Sequence, residues 1–225
     1  MINIAIDGPV GAGKSTVARE CAKRLGIIYV DTGAMYRACA LFCIRNGVEI
    51  KPENESAVSE LLNNRLDLAI TLVDGTQHVI VNGEDVSEAI RENSISMAAS
   101  AVSALPSVRA FLLGRQRDLA ANNSVIMDGR DIGTVVLPDA DLKIFITAKP
   151  EVRAKRRYDE LKAKGADITF DALLAEVNQR DYNDTHRKEA PLAQAKDAVL
   201  LDTSDLDFEQ SVKRVTDLAE KLGKL

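Results

Sequence analysis

A chain of 225 residues, 46% hydrophobic, is long enough for one α/β domain with an elaboration and can bury a full core. Its formal charge of −5, with only 4% aromatic residues, excludes a broad basic face or a stacking platform for nucleic acid, so local clusters of cations must meet any anion it binds. No apolar run approaches the roughly 20 residues that cross a bilayer, and the first residues read as a strand rather than a secretory leader, so we expect a cytoplasmic protein without a membrane partner.

Taken in order, Ile2 to Ile6 form an apolar run rich in β-branched residues that ends at Asp7. Gly8-Pro9-Val10-Gly11-Ala12-Gly13-Lys14-Ser15 follows at once and fits the phosphate-binding pattern G-x-x-x-x-G-K-[ST]. A strand before it and a helical pattern from Ser15 to Leu25 after it supply the context that pattern requires. Glycines let successive N–H groups turn toward one anion, and the helix adds its positive end. Lys14 would reach the β- and γ-phosphates of a triphosphate, and Ser15 would offer its hydroxyl to Mg²⁺.

Gly26 suits a helix C-cap, and Ile27 to Val30 reads as a second buried strand. Asp31-Thr32-Gly33 ends it, and a helix carrying Met35, Tyr36 and Arg37 runs to Asn46-Gly47. Thr32 can cap that helix, and Arg37 falls near the strand end, where ligands of open α/β sheets collect. Cys21, Cys39 and Cys43 lie within these helices without a His or further Cys to complete a metal set, so they read as buried, reduced thiols.

From Lys51 to Leu105 the pattern changes to a small α+β insertion. Glu53 to Asn63 reads as a helix, and Leu66 to Val73 and His78 to Val81 as strands around the turn Asp74-Gly75-Thr76, with Asn82-Gly83 a further turn. Ser87 to Ala104 reads as one helix and Pro106 opens another that reaches Ala121. By themselves Ser100 is a helix residue and Arg109 a surface charge.

The main sheet resumes at Ser124 to Met127 and ends in Asp128-Gly129-Arg130-Asp131, which is either a salt-bridged turn or a ligand-facing loop whose Asp128 orients Mg²⁺. Leu142 to Thr147 is the next strand, and Pro150 opens a helix with Arg153, Lys155, Arg156 and Arg157 in its first two turns. A helix N-terminus disfavours cations, so these residues either serve a ligand or are balanced by Glu151, Asp159 and Glu160. In the helix from Phe170 to Arg187, Arg180, Asp184 and Arg187 share one stripe, as a simple i,i+4 pair or as a holder for a phosphorylated sugar. Ala198 to Leu201 is a fifth strand and Phe208 to Leu222 a closing helix. Strands alternating with helices imply a parallel sheet with right-handed crossovers.

The stretches IAIDGPVGAGKST, VDTGAMYR, SAVSALPSVR, DGRDIGTVV, RAKRRYDEL and QRDYNDTHRKEAPL closely resemble the bacterial cytidylate kinases, a family of nucleoside monophosphate kinases, over essentially the whole chain. The resemblance implies a P-loop NTPase-like three-layer α/β fold with a five-stranded parallel sheet. It implies a core formed by residues 1–36 and 106–225, a lid within about 150–187, and a nucleoside monophosphate-binding insert at 37–105. It also implies Mg²⁺-dependent transfer of the ATP γ-phosphoryl group to CMP or dCMP by a monomer.

Carried over residue by residue, the resemblance puts ATP on Gly8, Pro9, Val10, Gly11, Ala12, Gly13, Lys14, Ser15 and Thr16, with Mg²⁺ on Ser15 and Asp128. Cytosine would meet Ser100, Arg109 and Asp131, whose carboxylate accepts from the exocyclic amine and repels the carbonyl of uracil. Arg180 and Asp184 would face the sugar; Thr32, Arg37, Arg130 and Arg187 belong to the acceptor site, the three arginines on its phosphate. Lys14, Arg130, Arg187 and the lid arginines Arg153 and Arg157, with Arg156 as the alternative, would act on the phosphoryl group in flight. Thr32 stands where many relatives have Ser and keeps the hydroxyl. A kinase for a hydroxyl acceptor would need a base in place of this arginine set, and a GTPase-type switch would need an Asn-Lys-x-Asp that the Ile146-Thr147-Ala148-Lys149 strand end does not supply.

Overall fold

Strand β1 (Asn3–Asp7) is apolar on both faces, with Ile4, Ala5 and Ile6 fully buried, and that composition suits the centre of a parallel sheet. The structure, a computed structural model, describes residues 1–73, 76–163 and 165–224. β1 pairs in parallel with β6 (Val125–Gly129) on one side and β7 (Leu142–Thr147) on the other. β2 (Ile28–Asp31) flanks β6 and β8 (Val199–Asp202) flanks β7, giving the five-stranded order β2-β6-β1-β7-β8.

Helices α1 (Lys14–Leu25) and α8 (Phe208–Glu220) cover one face, where Val17, Cys21, Val212 and Val215 pack on Ile4, Ile6, Ile126 and Ile144. Each such isoleucine adds about 1.5–3 kcal/mol on full burial. The opposite face carries Ala5, Val30 and Met127 against Ala120 of α5 (Pro106–Asn122) and against one turn of π-helix at Ile132–Val136. The result is a three-layer α/β fold.

A second cluster joins α2 (Thr32–Arg45), α3 (Glu55–Arg65), the hairpin β3 (Leu68–Val73)–β4 (Thr76–Val81), α4 (Asn93–Val102) and α5, through Met35, Phe42, Leu62, Val79, Val102 and Leu112. The helices α6 (Pro150–Ala163) and α7 (Phe170–His186) pack on one another, and α7 also touches α4. All three cysteines are buried and free. Among the described residues no single helix is long and apolar enough to cross a membrane.

Three local expectations are corrected. The region Ser87 to Ala104 is not one helix: a short 3₁₀ turn at Ala89–Arg91 is separated from α4 by Glu92, whose extended backbone (φ −58°, ψ 143°) breaks the ladder. The turn at Asn82-Gly83 leads into a third strand, β5 (Glu84–Asp85), because positive φ at both residues reverses the chain tightly enough to pair again. The cap of α2 is Asp31, not Thr32: its Oδ1 accepts from the Ala34 N–H at 2.9 Å. The expected turn at Asp74-Gly75 lies outside the described residues.

Candidate active site

The loop after β1 is shaped by glycines. At Gly8 the φ of 147° and the Ile146 carbonyl oxygen, 1.9 Å from where a Cβ would stand, leave no room for a side chain. Gly13 takes a left-handed conformation (φ 84°) and starts α1 so that Lys14 and Ser15 follow in its first turn. The Lys14 ammonium is buried and donates to the Pro9 carbonyl at 2.7 Å. Burial first, and then the Arg130 guanidinium, pull its pKa well below the usual lysine range.

Ser15 donates its hydroxyl to Oδ2 of Asp128 at 2.6 Å, and the Tyr29 hydroxyl donates to Oδ1 at 3.0 Å. Asp128 is therefore held at both oxygens at the end of β6. Burial and then the neighbouring Asp31 push its pKa upward, against the pull of the Lys14 ammonium and the two hydroxyls. Thr32 donates to the Asp128 backbone carbonyl at 2.7 Å, which ties the start of α2 to the same strand end. Asp31 is paired through Oδ2 to Arg37 at 2.9 Å, while its backbone N–H and C=O are met by the side-chain amide of Gln77 at 2.7 and 3.2 Å. One amide of β4 thus pairs with the edge of the main sheet.

At the other end, Asp131 is buried between two guanidiniums. Arg109 donates to its Oδ2 and Arg187 lies 3.5 Å from its Oδ1. Arg109 also donates to the Ser103 carbonyl at 3.1 Å and lies 5.6 Å from the Tyr36 ring centroid. Arg130 donates to Asp184 at 2.7 Å. From the far wall, Arg157 donates to Asn93 of α4 at 3.0 Å and Arg180 to the Ser96 carbonyl at 3.0 Å, so α6 and α7 reach across to α4.

These groups surround one cavity of about 510 Å³. Lys14, Ser15 and Thr16 line it with Val10, Gly11, Gly13, Thr32, Arg37, Ser100, Arg109, Asp128, Arg130, Asp131, Arg157, Arg180, Asp184 and Arg187, so most of the residues singled out from sequence meet here. Eight cationic side chains line it against five acidic ones, although the chain as a whole is negative. Burial, and then the neighbouring guanidiniums Arg157 and Arg109 respectively, work against the charge on Arg180 and Arg187. An anion entering the cavity relieves that crowding.

Four expected residues stand outside the lining. Gly8 packs under Ile146, Pro9 offers its carbonyl to Lys14, and Ala12 is buried. Arg153 is 3% exposed: Nε donates to the Ala148 carbonyl at 2.8 Å and Nη1 to the Val10 carbonyl at 2.9 Å, and the fork meets Asp181 at 3.0 and 2.5 Å. Those carbonyls and Asp181 offset its unfavourable place near the start of α6. Arg156 lines the cavity instead and donates to the Thr203 carbonyl at 2.6 Å.

Sequence reasoning missed three carboxylates: Asp31 and Glu160, which line the cavity, and Asp7, which stands behind it. Asp31 was read only as a strand end, and Asp7 only as a boundary. Asp7 is buried, its Oδ1 accepting from the Ile132 N–H at 2.8 Å and its Oδ2 from the Gly133 N–H at 2.7 Å. Burial, opposed by those two amides, pushes its pKa up to about 6. An acid ending an apolar strand was the available signal for Asp7 and Asp31.

A family model described as cytidylate kinase matches residues 4–221 of this chain. The cytidylate kinase of Caldicellulosiruptor bescii is 51% identical over 223 residues, covering 99% of this chain and 97% of the relative. That of Ligilactobacillus salivarius is 47% identical over 220 residues, covering 98% and 97%. Among solved structures, an uncharacterized protein from Eubacterium ventriosum ATCC 27560 matches at a TM-score of 0.50 and 14% identity over 100% of both chains, a likeness of fold alone.

Proposed function

The chain belongs to the cytidylate kinase family, phosphotransferases that move the γ-phosphoryl group of ATP to CMP or dCMP, and from that premise we propose how its cavity divides the work. The donor end is the P-loop: the N–H groups of Gly11, Gly13, Lys14, Ser15 and Thr16, which line the cavity, cradle the triphosphate of ATP, and Lys14 bridges its terminal phosphates. At the acceptor end Asp131 accepts from the exocyclic amine of cytosine, beside Arg109 and Ser100. Arg180 and Asp184 meet the sugar, and Arg37, Arg130 and Arg187 the monophosphate.

Ser15 and Asp128 offer only oxygen donors, held 2.6 Å apart at the end of β6 and the start of α1, a set that fits Mg²⁺. Among the described residues no cluster of three acidic, His or Cys ligands stands ready to cage a metal, which agrees with an ion held mainly through phosphate oxygens and water. Bound there, Mg²⁺ supplies neutralisation of charge on the donor phosphates.

No general base is required. A nucleoside monophosphate, with its second pKa near 6, is already a nucleophilic dianion at neutral pH. The chain's residues therefore align two anions and stabilise the equatorial oxygens of the phosphoryl group in flight, with Lys14, Arg130 and Arg187 reaching in from the walls and Arg156 and Arg157 from α6. Water must be kept out, or ATP would be hydrolysed. Residues 37–105 and the segment 150–187 close over the substrates on the core formed by 1–36 and 106–225, a division supported by the bridges Arg157–Asn93 and Arg180–Ser96. We also infer a cytoplasmic monomer whose partners are its nucleotides.

The observation that carries this reading is that the P-loop and the Arg109–Asp131–Arg187 cluster open into the same cavity. A coupled assay of ADP release with ATP, Mg²⁺ and each of CMP, dCMP, UMP, AMP and shikimate tests it. Fast turnover with CMP and dCMP alone is the expected result, and equal turnover with UMP overturns the assignment of Asp131.

A further inference from the structure

We propose that Asp7 is a positioning residue for base selection: through two backbone hydrogen bonds it sets the orientation in which Asp131 meets the acceptor base. The proposal rests on the reading of Asp131 as a base contact.

The geometry holds Asp131 from both sides. The two amides that follow it, Ile132 and Gly133, donate to the two oxygens of Asp7 at 2.8 and 2.7 Å. The carbonyl of Asp131 accepts from Val135 and Val136 at 2.9 and 3.1 Å, inside the π turn. Between these restraints the residue takes a backbone (φ −145°, ψ 27°) outside the regular helix and strand wells, and its side chain lies between Arg109 and Arg187. The β1–β6 register puts Asp7 opposite Gly129, so the carboxylate reaches across the Gly129–Asp131 corner to the far side of the loop. Asp7 also immediately precedes Gly8. One residue therefore links the start of the donor loop to the aim of the acceptor-reading carboxylate.

A carboxylate suits this task because it accepts two N–H bonds at once. Asparagine has one acceptor oxygen and would turn its NH₂ toward the second amide, donor against donor, so the peptide between Ile132 and Gly133 must rotate or lose a bond. Asp131 would move with it while the P-loop cradle keeps its own contacts.

The test measures kcat and KM with CMP and with UMP, at saturating ATP, for the wild type, Asp7→Asn, Gly133→Ala, their double variant and Asp131→Asn. The added Cβ of Gly133→Ala would press on the Lys143 stem at 3.1 Å while meeting the Asp7 carboxylate at an ordinary 3.4 Å, so it shifts the peptide that donates to Asp7 without altering Asp7 itself. The expected result is a CMP-to-UMP preference about tenfold weaker in Asp7→Asn, carried by a higher KM for CMP. Gly133→Ala should lose less, and the double variant no more than Asp7→Asn. A role confined to supporting the sheet, or one exerted through Lys14, lowers turnover with both acceptors alike and leaves the ratio intact. A wild-type ratio in Asp7→Asn and Gly133→Ala, with a reduced one in Asp131→Asn, overturns the proposal. A wild-type ratio in Asp131→Asn as well overturns the reading beneath it and the proposal together. Should Asp7→Asn fail to fold, Gly133→Ala decides by the same ratio.

Discussion

Arg153 grips Asp181 with both arms of its guanidinium, at 2.5 and 3.0 Å, and with the same fork donates to the Val10 carbonyl of the P-loop. A cation expected to swing onto substrate is instead a strut between α7 and the donor loop. Arg153→Ala leaves Asp181 without its cation and the Val10 and Ala148 carbonyls without this donor, a loss of charge-assisted bonds worth about 1.5–3 kcal/mol, since the Asp181 side chain is 23% exposed. We expect a large fall in thermal stability and a raised KM for ATP, measured by calorimetry and steady-state kinetics. Arg153→Lys should rescue little, because one ammonium cannot span three acceptors in that fork.

Lys14→Ala should lower turnover with CMP by about a thousandfold or more, since it removes charge aimed at the transferring phosphoryl group. Among the described residues the ammonium bonds only its own loop, through the Pro9 carbonyl, so far-ultraviolet circular dichroism should match the wild type. Near-normal turnover would contradict the donor-site assignment.

Ser15→Ala takes one of two hydroxyl donors from Asp128 and one oxygen from the proposed Mg²⁺ site. The Mg²⁺ concentration for half-maximal rate should rise by about tenfold, in the range typical for loss of a supporting ligand. Chelation with EDTA should stop turnover, and excess Mg²⁺ should restore it in the wild type at lower concentration than in the variant.

Asp7 gives a pH signature. Burial raises its folded pKa from 3.8 to about 6, so the folded chain binds a proton there more tightly than the unfolded chain. Its contribution is most favourable when it is protonated, is lost as pH rises between those two values, and is flat above about 6. Between pH 4.5 and 7.5 the wild type should lose on the order of 2 kcal/mol of stability relative to Asp7→Asn. Urea titrations of both proteins across that window measure the difference, and parallel curves would contradict the burial effect.

The parallel sheet and the P-loop were legible because their signals are local. Apolar runs such as Ile4 to Ile6 and Leu142 to Thr147 are bounded by Gly, Asp or Pro, and the loop has a fixed spacing. What stayed hidden depends on contacts between distant segments. Arg153 finds Asp181 28 residues away, and Asp7 finds Gly133 126 residues away, so neither partner could be read from spacing. The break at Glu92 was invisible because no Gly or Pro marks it in a stretch rich in Ser and Ala. β5 has two residues, too few to carry an alternating pattern. Asp31 is the cap of α2 because the helix starts one residue earlier than expected, with Thr32 already its first helical residue and its hydroxyl donating to the Asp128 carbonyl.

The amide of Gln77 against the backbone of Asp31 also bears on how the molecule avoids itself. β2 is an outer strand of the sheet, and an unpaired outer strand is a template on which a second copy can add. Gln77 occupies both hydrogen-bonding groups of Asp31, so the end of β2 nearest the cavity is shielded from a stray chain. The opposite margin, β8, shows no such cover among the described residues and leaves Val199 and Leu200 substantially exposed, but like β2 it spans only four residues. Brevity guards both margins and a borrowed amide reinforces one of them, so changes that lengthen β8 or shorten Gln77 should appear first as loss of colloidal stability in concentrated solution.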